Sequence, residues 1–146
     1  MQNKLPADKI WQEWMQKAEN DELSAQSILK HRDGAASVVG MLSQQMAEKY
    51  LKGLLVFHNQ DYPKIHDLVR ISNLLEPLVP GIMELINDSK LSELSKLYAM
   101  DRYPADAPEI NWVQAEDAFK TAQKIKDFVI DQISAKYTTP DENRHF

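Results

Sequence analysis

The amino-acid sequence predicts an all-α protein, a four- to five-helix up-and-down bundle. Several long segments place apolar residues at three- and four-residue steps, which is the spacing of one face of an α-helix. The 146 residues include only four glycines, and no segment alternates apolar and polar residues as a half-buried strand does. Because each helix must bury its apolar stripe against a neighbour, a bundle is the expected arrangement.

The first helix is expected over residues 8–30. Asp8 is a candidate for its N-cap, and Gly34 is expected to end it in the left-handed conformation. Its apolar stripe consists of Trp11, Trp14, Met15, Ala18, Ala25 and Ile28. Asp21 falls on the same stripe, and a buried carboxylate needs a partner, so we expect an Arg or Lys from another helix to meet it.

The second helix is expected over residues 35–57 and is apolar on two sides. One row consists of Val39, Leu42, Met46, Tyr50, Gly53 and Phe57, and the other of Ala47, Leu51, Leu54 and Leu55. A helix with two apolar sides is buried on two sides. It is therefore either central in the bundle or shared between the core and a subunit interface, and Gly53 would permit a close approach of another helix.

The middle of the chain predicts shorter elements. A loop over residues 58–65 leads to a third helix that begins near His66-Asp67. Residues 82–86 are a brief apolar segment, and Asp88 or Ser89 is a candidate cap for a fourth helix.

The last part of the chain returns to a long helix. Two prolines in residues 102–108 predict an ordered, proline-stiffened connection. The last helix is expected over residues 111–137, and residues 138–146 form a polar tail. We therefore predict one domain over residues 1–137.

The charge balance excludes a general nucleic-acid coat. Seventeen basic and 22 acidic residues give a net charge of −5, whereas phosphate backbones require clustered cations. The acidity is concentrated in residues 76–111, and residues 44–72 are mildly basic. A phosphate site would therefore be small and local, and Arg102 is a cation inside the acidic segment.

Several chemistries find no support in the sequence. The absence of cysteine excludes disulfides, thiolate zinc sites and a cysteine nucleophile. The four histidines lack metal-ligand spacing, and P-loop, Rossmann, zincin and Gly-x-Ser-x-Gly signatures are missing. No apolar run approaches the roughly 20 residues that span a bilayer, and the N-terminus lacks the apolar stretch of a signal peptide. We expect a cytoplasmic protein without metal, cofactor or membrane segment.

Three polar groups are candidates for function, and the first lies on the second helix. Gln45, Lys49 and Lys52 follow one another at i, i+4 and i+7. Either Gln45 and Lys49 line a cavity beside this helix and meet an anion, or the lysines of the helix are solvated. In the second case Glu48 and Lys52 form an i, i+4 ion pair worth on the order of a few tenths of a kcal/mol.

The second group, His66-Asp67, opens the third helix. Either Asp67 complements the helix dipole while His66 makes a structural hydrogen bond, or the helix N-terminus binds an anion with His66 as a donor. Arg70, one turn further on, is a candidate to join His66.

The third group is the segment from Tyr98 to Pro104, where Arg102 lies beside two tyrosines. An Arg in this setting forms a structural lock through stacking and carbonyl capping, or it clamps a phosphate or a base.

These segments, in this order, resemble the HEPN domain family. The resemblance covers most of the chain and is carried by Ala18-x-x-Asp21, Gln44-Gln45-x-x-Glu48-Lys49-Tyr50-Leu51-Lys52, His66-Asp67-Leu68, Arg102-Tyr103-Pro104 and the alanine-rich last helix. The ordered set is more specific than any single piece. It implies a helical bundle that dimerises and a genetic partner, a minimal nucleotidyltransferase of the MNT class, in pairs that look like toxin–antitoxin modules.

One departure from the family pattern concerns ribonuclease activity. Many members are metal-independent ribonucleases in which an Arg is followed by four to six residues and then a His. The arginines here, at positions 32, 70, 102 and 144, have no His at that spacing. The sequence therefore looks more like the nucleotide-binding or transferase-partner members, although His66 is a candidate replacement in space.

The leading hypothesis is a non-catalytic HEPN protein. It forms a homodimer, binds a nucleotide or an RNA end through phosphate, and partners a separate MNT-type nucleotidyltransferase. The expected pocket residues are Lys49, His66, Arg102 and Tyr103, with Gln45 and Lys52 behind them. Two alternatives remain open: a ribonuclease toxin with a degenerate motif that uses Arg102 and His66, and a purely structural dimeric interaction module.

Overall fold

All regular structure in the described part of the chain is helical. The computed structural model describes residues 5–87, 89–98 and 109–137. A one-turn 3-10 helix, Ala7–Lys9, precedes six α-helices: α1 (Trp11–His31), α2 (Ala36–Phe57), α3 (Leu68–Leu75), α4 (Ile82–Asn87), α5 (Ser89–Ser95) and α6 (Trp112–Tyr137). The predicted all-α class is confirmed, and the brief apolar segment after residue 81 is itself a short helix. Within the described ranges, no helix combines the length and apolarity needed to cross a membrane.

The central helix of the bundle is α2. It packs mainly against α1 and α6, and it also contacts α3 and α5. Fifteen of its 22 residues are buried. This central position accounts for both apolar rows of α2 within a single chain, so the two-sided pattern does not require a subunit interface.

The close packing of α1 on α2 depends on Gly53. A Cβ atom at this position would lie 2.8 Å from the Cβ of Trp14 and would also collide with the side chain of Met15. Only a residue without a side chain lets the two helices approach this closely, as the sequence predicted.

The predicted N-cap of α1 is wrong. Asp8 lies in the 3-10 helix, and α1 begins after Ile10 without a side-chain cap. The Asp8 carboxylate instead accepts a hydrogen bond from the Tyr62 hydroxyl (2.8 Å), and the Asp8 carbonyl accepts one from the Trp14 indole (3.0 Å). Asp8 therefore ties the start of the chain to the loop after α2.

The predicted end of α1 at residue 30 is within one residue of the observed end at His31, but the predicted cap is wrong, because Arg32 and not Gly34 takes the left-handed conformation, with φ 54°. A residue with a side chain incurs a conformational cost there. Contacts with α6 offset this cost, since the Arg32 guanidinium lies 2.6 Å from Glu116 and 4.4 Å from the centre of the Trp112 ring.

The start of α6 carries a reciprocal cap. The Asn111 side chain accepts from the Gln114 backbone N–H (2.8 Å), and the Gln114 side chain accepts from the Asn111 N–H (2.9 Å). Two otherwise unpaired backbone donors are satisfied in this way, and the predicted start of the last helix is confirmed. The predicted connection at 102–108, the tail at 138–146 and the cap candidate Asp88 lie outside the described residues.

Candidate functional site

The backbone around His66 is fixed by hydrogen bonds at the start of α3. The Asp67 carboxylate accepts from the N–H groups of Val69 (3.0 Å) and Arg70 (3.3 Å), and the Leu68 N–H donates to the Ser95 hydroxyl (2.9 Å). These three donors are already bonded, so they are not available to an anion. If this region binds an anion, the side chain of His66 is the better candidate.

The side chain of His66 meets a buried carboxylate of α2. Its Nδ1 lies 3.0 Å from both carboxylate oxygens of Glu48. Glu48 also accepts from the Lys52 ammonium (2.9 Å) and from the Gln44 amide (3.1 Å). We call these four residues the Glu48 cluster.

Burial distinguishes this cluster from an ordinary surface ion pair. The side chain of Lys52 is 5% exposed and that of Glu48 11% exposed, whereas that of His66 is 40% exposed. The Gln44 amide also donates to the His66 carbonyl (3.1 Å). The cluster therefore runs from the interior of the bundle, where its charges are paired, to the surface, where only the imidazole emerges.

The exposed side of His66 lines a cavity of about 400 Å³, which we call the His66 cavity. It is lined by His66, Asp67, Val69, Ser92, Ser95, Lys96 and Tyr98. The imidazole stacks on the Tyr98 ring, with the ring centres 3.9 Å apart and the planes 15° from parallel. Glu48 at one ring edge and Tyr98 on one face together hold the imidazole in a single orientation.

The structure brings only some of the predicted site residues together. Lys52 and His66 meet through Glu48. Lys49 pairs instead with Asp21 of α1 (2.6 Å), which confirms the lysine partner expected for Asp21 and directs the Lys49 ammonium away from His66. Gln45 is half-buried on α2.

Two further predicted site residues, Arg102 and Tyr103, lie outside the described residues. Their assignment to the pocket stays a prediction from the sequence.

Sequence reasoning missed the central role of Glu48 and the contribution of Gln44. The alternative in which the lysines of the second helix are solvated is wrong for Lys52, which is buried. One signal was available: residues 44, 48 and 52 recur at four-residue steps within a helix that is otherwise apolar on two sides. Polar residues in such a row are expected to be buried and to bond to one another.

The described histidines differ in their suitability for binding an anion. Burial and the nearby Lys136 both lower the pKa of His58, which disfavours the charged form of that ring. His66 faces a carboxylate instead. Within residues 5–87, 89–98 and 109–137, no three or more acidic or imidazole side chains are grouped so that they could hold a metal ion.

Comparisons with known proteins agree with this helical arrangement. A protein of Thermus thermophilus has 27% sequence identity and a TM-score of 0.72, and the match covers 84% of this chain and 97% of that one. An archaeal HEPN homologue has 25% identity and a TM-score of 0.67, with 85% of this chain and 98% of that one covered. No curated protein matches the sequence significantly. The sequence profile of the HEPN domain matches residues 11–133, and the chain therefore belongs to the HEPN domain family.

Proposed function

We propose that this chain is a non-catalytic HEPN protein that binds the phosphate of a nucleotide or of an RNA end in the His66 cavity. The observation that carries the proposal is the imidazole of His66, whose Nδ1 is held by Glu48 and which lines an open cavity. A charged imidazole donates from both nitrogens, and charge-assisted donors are the strong ligands of phosphate oxygens.

The size and lining of the cavity support the same class of ligand. A volume of about 400 Å³ falls in the range of small-molecule sites. Lys96 supplies a second cation, and Ser92 carries an exposed hydroxyl-bearing side chain at the rim. Because the chain as a whole has a net charge of −5, binding would depend on these local groups.

Arg102 and Tyr103 belong to the proposal through the sequence alone. Arg102 follows the cavity residue Tyr98 by four positions. A guanidinium binds phosphate in a bidentate manner, and Tyr103 would donate a hydrogen bond or stack on a base.

Calorimetric titration with ATP, GTP and short RNAs tests phosphate binding. We expect wild type to bind at least one of them, and H66Q and K96M to weaken that binding by about fivefold or more, since each removes a charge-assisted contact. K120M, which removes an exposed lysine of α6, is the matched control and should bind as wild type does. Failure of wild type to bind any of these probes would overturn the proposal.

The proposed partners follow from the family resemblance. We propose that the protein forms a homodimer and associates with a separate MNT-type nucleotidyltransferase in a toxin–antitoxin-like pair. Light scattering of the purified chain tests the dimer, and co-purification after co-expression with an MNT-type protein encoded beside it tests the pair. A monomer at micromolar concentration, or elution of the two proteins apart, would contradict the respective proposal.

One observation favours ribonuclease activity as a second candidate function. A carboxylate bonded to one nitrogen of an imidazole orients the other nitrogen as a general base, and Glu48 stands in this relation to His66. If the chain cleaves RNA without added metal, H66Q and Arg102→Ala should each abolish the cleavage. Cleavage that persists unchanged in both variants would reject this assignment.

A further inference from the structure

The Glu48–Lys52 ion pair is unusual because it is buried in the middle of α2. Transferring two charges from water into a protein interior costs several kcal/mol per ion, and an apolar pair of similar volume is often as stable or more so. The residues that surround this pair on α2 are mostly apolar and buried. Stability alone therefore does not account for a carboxylate and an ammonium here, and the contacts of the pair indicate what else it does.

We propose that Glu48 is a positioning residue that fixes the tautomer and the orientation of His66, with Lys52 balancing its charge. An ionised carboxylate only accepts hydrogen bonds. Its two oxygens lie 3.0 Å from the Nδ1 of His66, so Nδ1 carries the proton that points into the bundle. Nε2, on the opposite edge of the ring, is then the nitrogen that a ligand in the His66 cavity would meet.

The remaining contacts of the cluster restrict the ring further. Gln44 bonds to both Glu48 and the His66 carbonyl, so it fixes the carboxylate relative to the backbone that carries the imidazole. Tyr98 covers one face of the ring. No residue of the described ranges bonds to Nε2, which leaves this nitrogen for a ligand.

Because Glu48 and Lys52 are paired with each other in the interior, His66 is the residue of the cluster that can contact a ligand. Lys52 and Glu48 carry opposite charges and are held within 2.9 Å of each other. With the proton of Nδ1 committed to Glu48, the neutral ring offers a lone pair on Nε2 to a ligand hydroxyl, and the charged ring offers an N–H to a phosphate oxygen. The other titratable side chains that line the His66 cavity are those of Asp67, Lys96 and Tyr98.

The first arm of the experiment measures the tautomer directly and needs no ligand. In protein labelled with ¹⁵N-histidine, the ring ¹⁵N shifts of His66 are assigned by comparison with H66Q. At a pH where the ring is neutral, we expect the proton on Nδ1 in wild type. In E48Q/K52M the amide can donate to Nδ1 as well as accept from it, so the preference for a proton on Nδ1 is lost and we expect the proton to move at least in part to Nε2.

The double variant is chosen so that no unpaired charge stays buried, because an orphaned ammonium or carboxylate is strongly destabilising. The matched control is E22Q/K126M, which removes the half-buried ion pair between α1 and α6 (2.7 Å) and should leave the His66 tautomer unchanged. A proton on Nε2 in wild type, or an unchanged tautomer in folded E48Q/K52M, would overturn the proposal. The wild-type measurement decides alone if the double variant does not fold.

The second arm rests on the proposed function and uses ATP and inorganic phosphate as probes. We expect E48Q/K52M to bind ATP about tenfold more weakly than wild type and E22Q/K126M to bind it equally well. Without the carboxylate of Glu48, the charged imidazole is no longer held in the orientation in which Nε2–H meets a phosphate oxygen. Equal affinity in E48Q/K52M would overturn the positioning role in binding. If wild type binds neither probe while the tautomer shifts as expected, the proposed function fails and the positioning of His66 stands.

Discussion

Tyr50 of α2 combines full burial with an unsatisfied hydroxyl. The residue is 0% exposed, and its OH has no hydrogen-bond partner among the described residues. Burial raises the pKa of this phenol, and the carboxylates of Glu22, Glu19 and Asp127 raise it further. Tyr50 thus contributes volume to the core while its hydroxyl adds a desolvation cost.

Tyr50→Phe is expected to leave the free energy of unfolding at pH 7 unchanged or to raise it by up to about 1 kcal/mol, because it removes an unpaired buried polar group. The free energy of unfolding also depends on pH, and the direction of this dependence follows from the raised pKa of Tyr50. Since the pKa is raised in the folded state, wild type loses stability as pH rises above about 10, where the unfolded phenol ionises. The advantage of the variant should therefore grow in alkaline solution.

Urea unfolding at pH 7 and at pH 10.5 measures both effects. The control is Tyr62→Phe, which removes a hydroxyl that donates to Asp8 at 2.8 Å and should cost about 0.5 kcal/mol or more. A loss above about 1 kcal/mol for Tyr50→Phe at pH 7 would contradict the prediction and would indicate a buried partner for the hydroxyl.

Asp21 and Glu48 show which side-chain contacts could be predicted from the sequence and which could not. A carboxylate on an apolar stripe requires a partner, so the sequence predicted a cation for Asp21, and Lys49 supplies it. The same logic did not isolate Glu48, because an i, i+4 Glu–Lys pair has the same sequence pattern whether it lies at the surface or in the core. The role of Glu48 depends on its contact with His66, which is distant in sequence and meets Glu48 only in the folded chain.

Among the elements, α3 depends most visibly on one capping residue. The helix has only eight residues, and the Asp67 carboxylate satisfies two of its first backbone donors. Short helices have few internal hydrogen bonds to compensate for a lost cap.

Asp67→Ala is expected to lower the free energy of unfolding by about 1 kcal/mol, the usual value of an N-cap. Thermal and urea denaturation measure the loss. Asp67→Asn keeps an acceptor in the same place and should retain most of the stability. Equal losses in both variants would indicate that charge, and not capping, is the main contribution of Asp67.

The helices show why element bounds were predicted with unequal success. The bounds of α2 and α6 fall within about one residue of expectation, because periodic apolar patterns are local signals. The left-handed residue that caps the end of α1 was missed for a tertiary reason. Arg32 is held in the left-handed conformation by Glu116 and Trp112 of α6, and no local rule favours an Arg over a nearby glycine there.

For the whole molecule, half-buried ion pairs connect helices that are distant in the sequence. Lys126 of α6 lies 2.7 Å from Glu22 of α1, and the two side chains are 30% and 13% exposed. The pair bridges the first and last helices beside the central α2. Lys9 and Asp61 form a comparable contact at 3.1 Å, but their side chains are 44% and 95% exposed.

A double-mutant cycle on Glu22 and Lys126 should give a coupling energy of about 1 kcal/mol or more, because the pair is shielded from solvent. The same cycle on Lys9 and Asp61 should give less than about 0.5 kcal/mol. Chemical denaturation of the single and double variants provides both values. A larger coupling for the exposed pair would contradict this ranking.

At the same scale, the sequence predicted the fold better than the site. The bundle follows from periodic patterns within each helix, whereas the His66 cavity is assembled from the start of α3, from α5 and from the residues up to Tyr98, and its imidazole is held by Glu48 of α2. Lys49 and Lys52 lie three positions apart on one helix and yet bond to partners on different elements. Which neighbour each lysine meets depends on the packing of the whole bundle.

The central position of α2 has a consequence for hydrogen exchange. Backbone amides in α2 are enclosed by α1, α3, α5 and α6, so they exchange with solvent only when the bundle opens globally. The shorter α5 packs less extensively against its neighbours, so we expect it to open locally at a lower free energy. The imidazole of the His66 cavity is thus held by Glu48 on α2, which exchanges slowly, whereas the lining residues Ser92 and Ser95 lie on α5, which exchanges faster. A ligand in the cavity should therefore slow exchange in α5 much more than in α2.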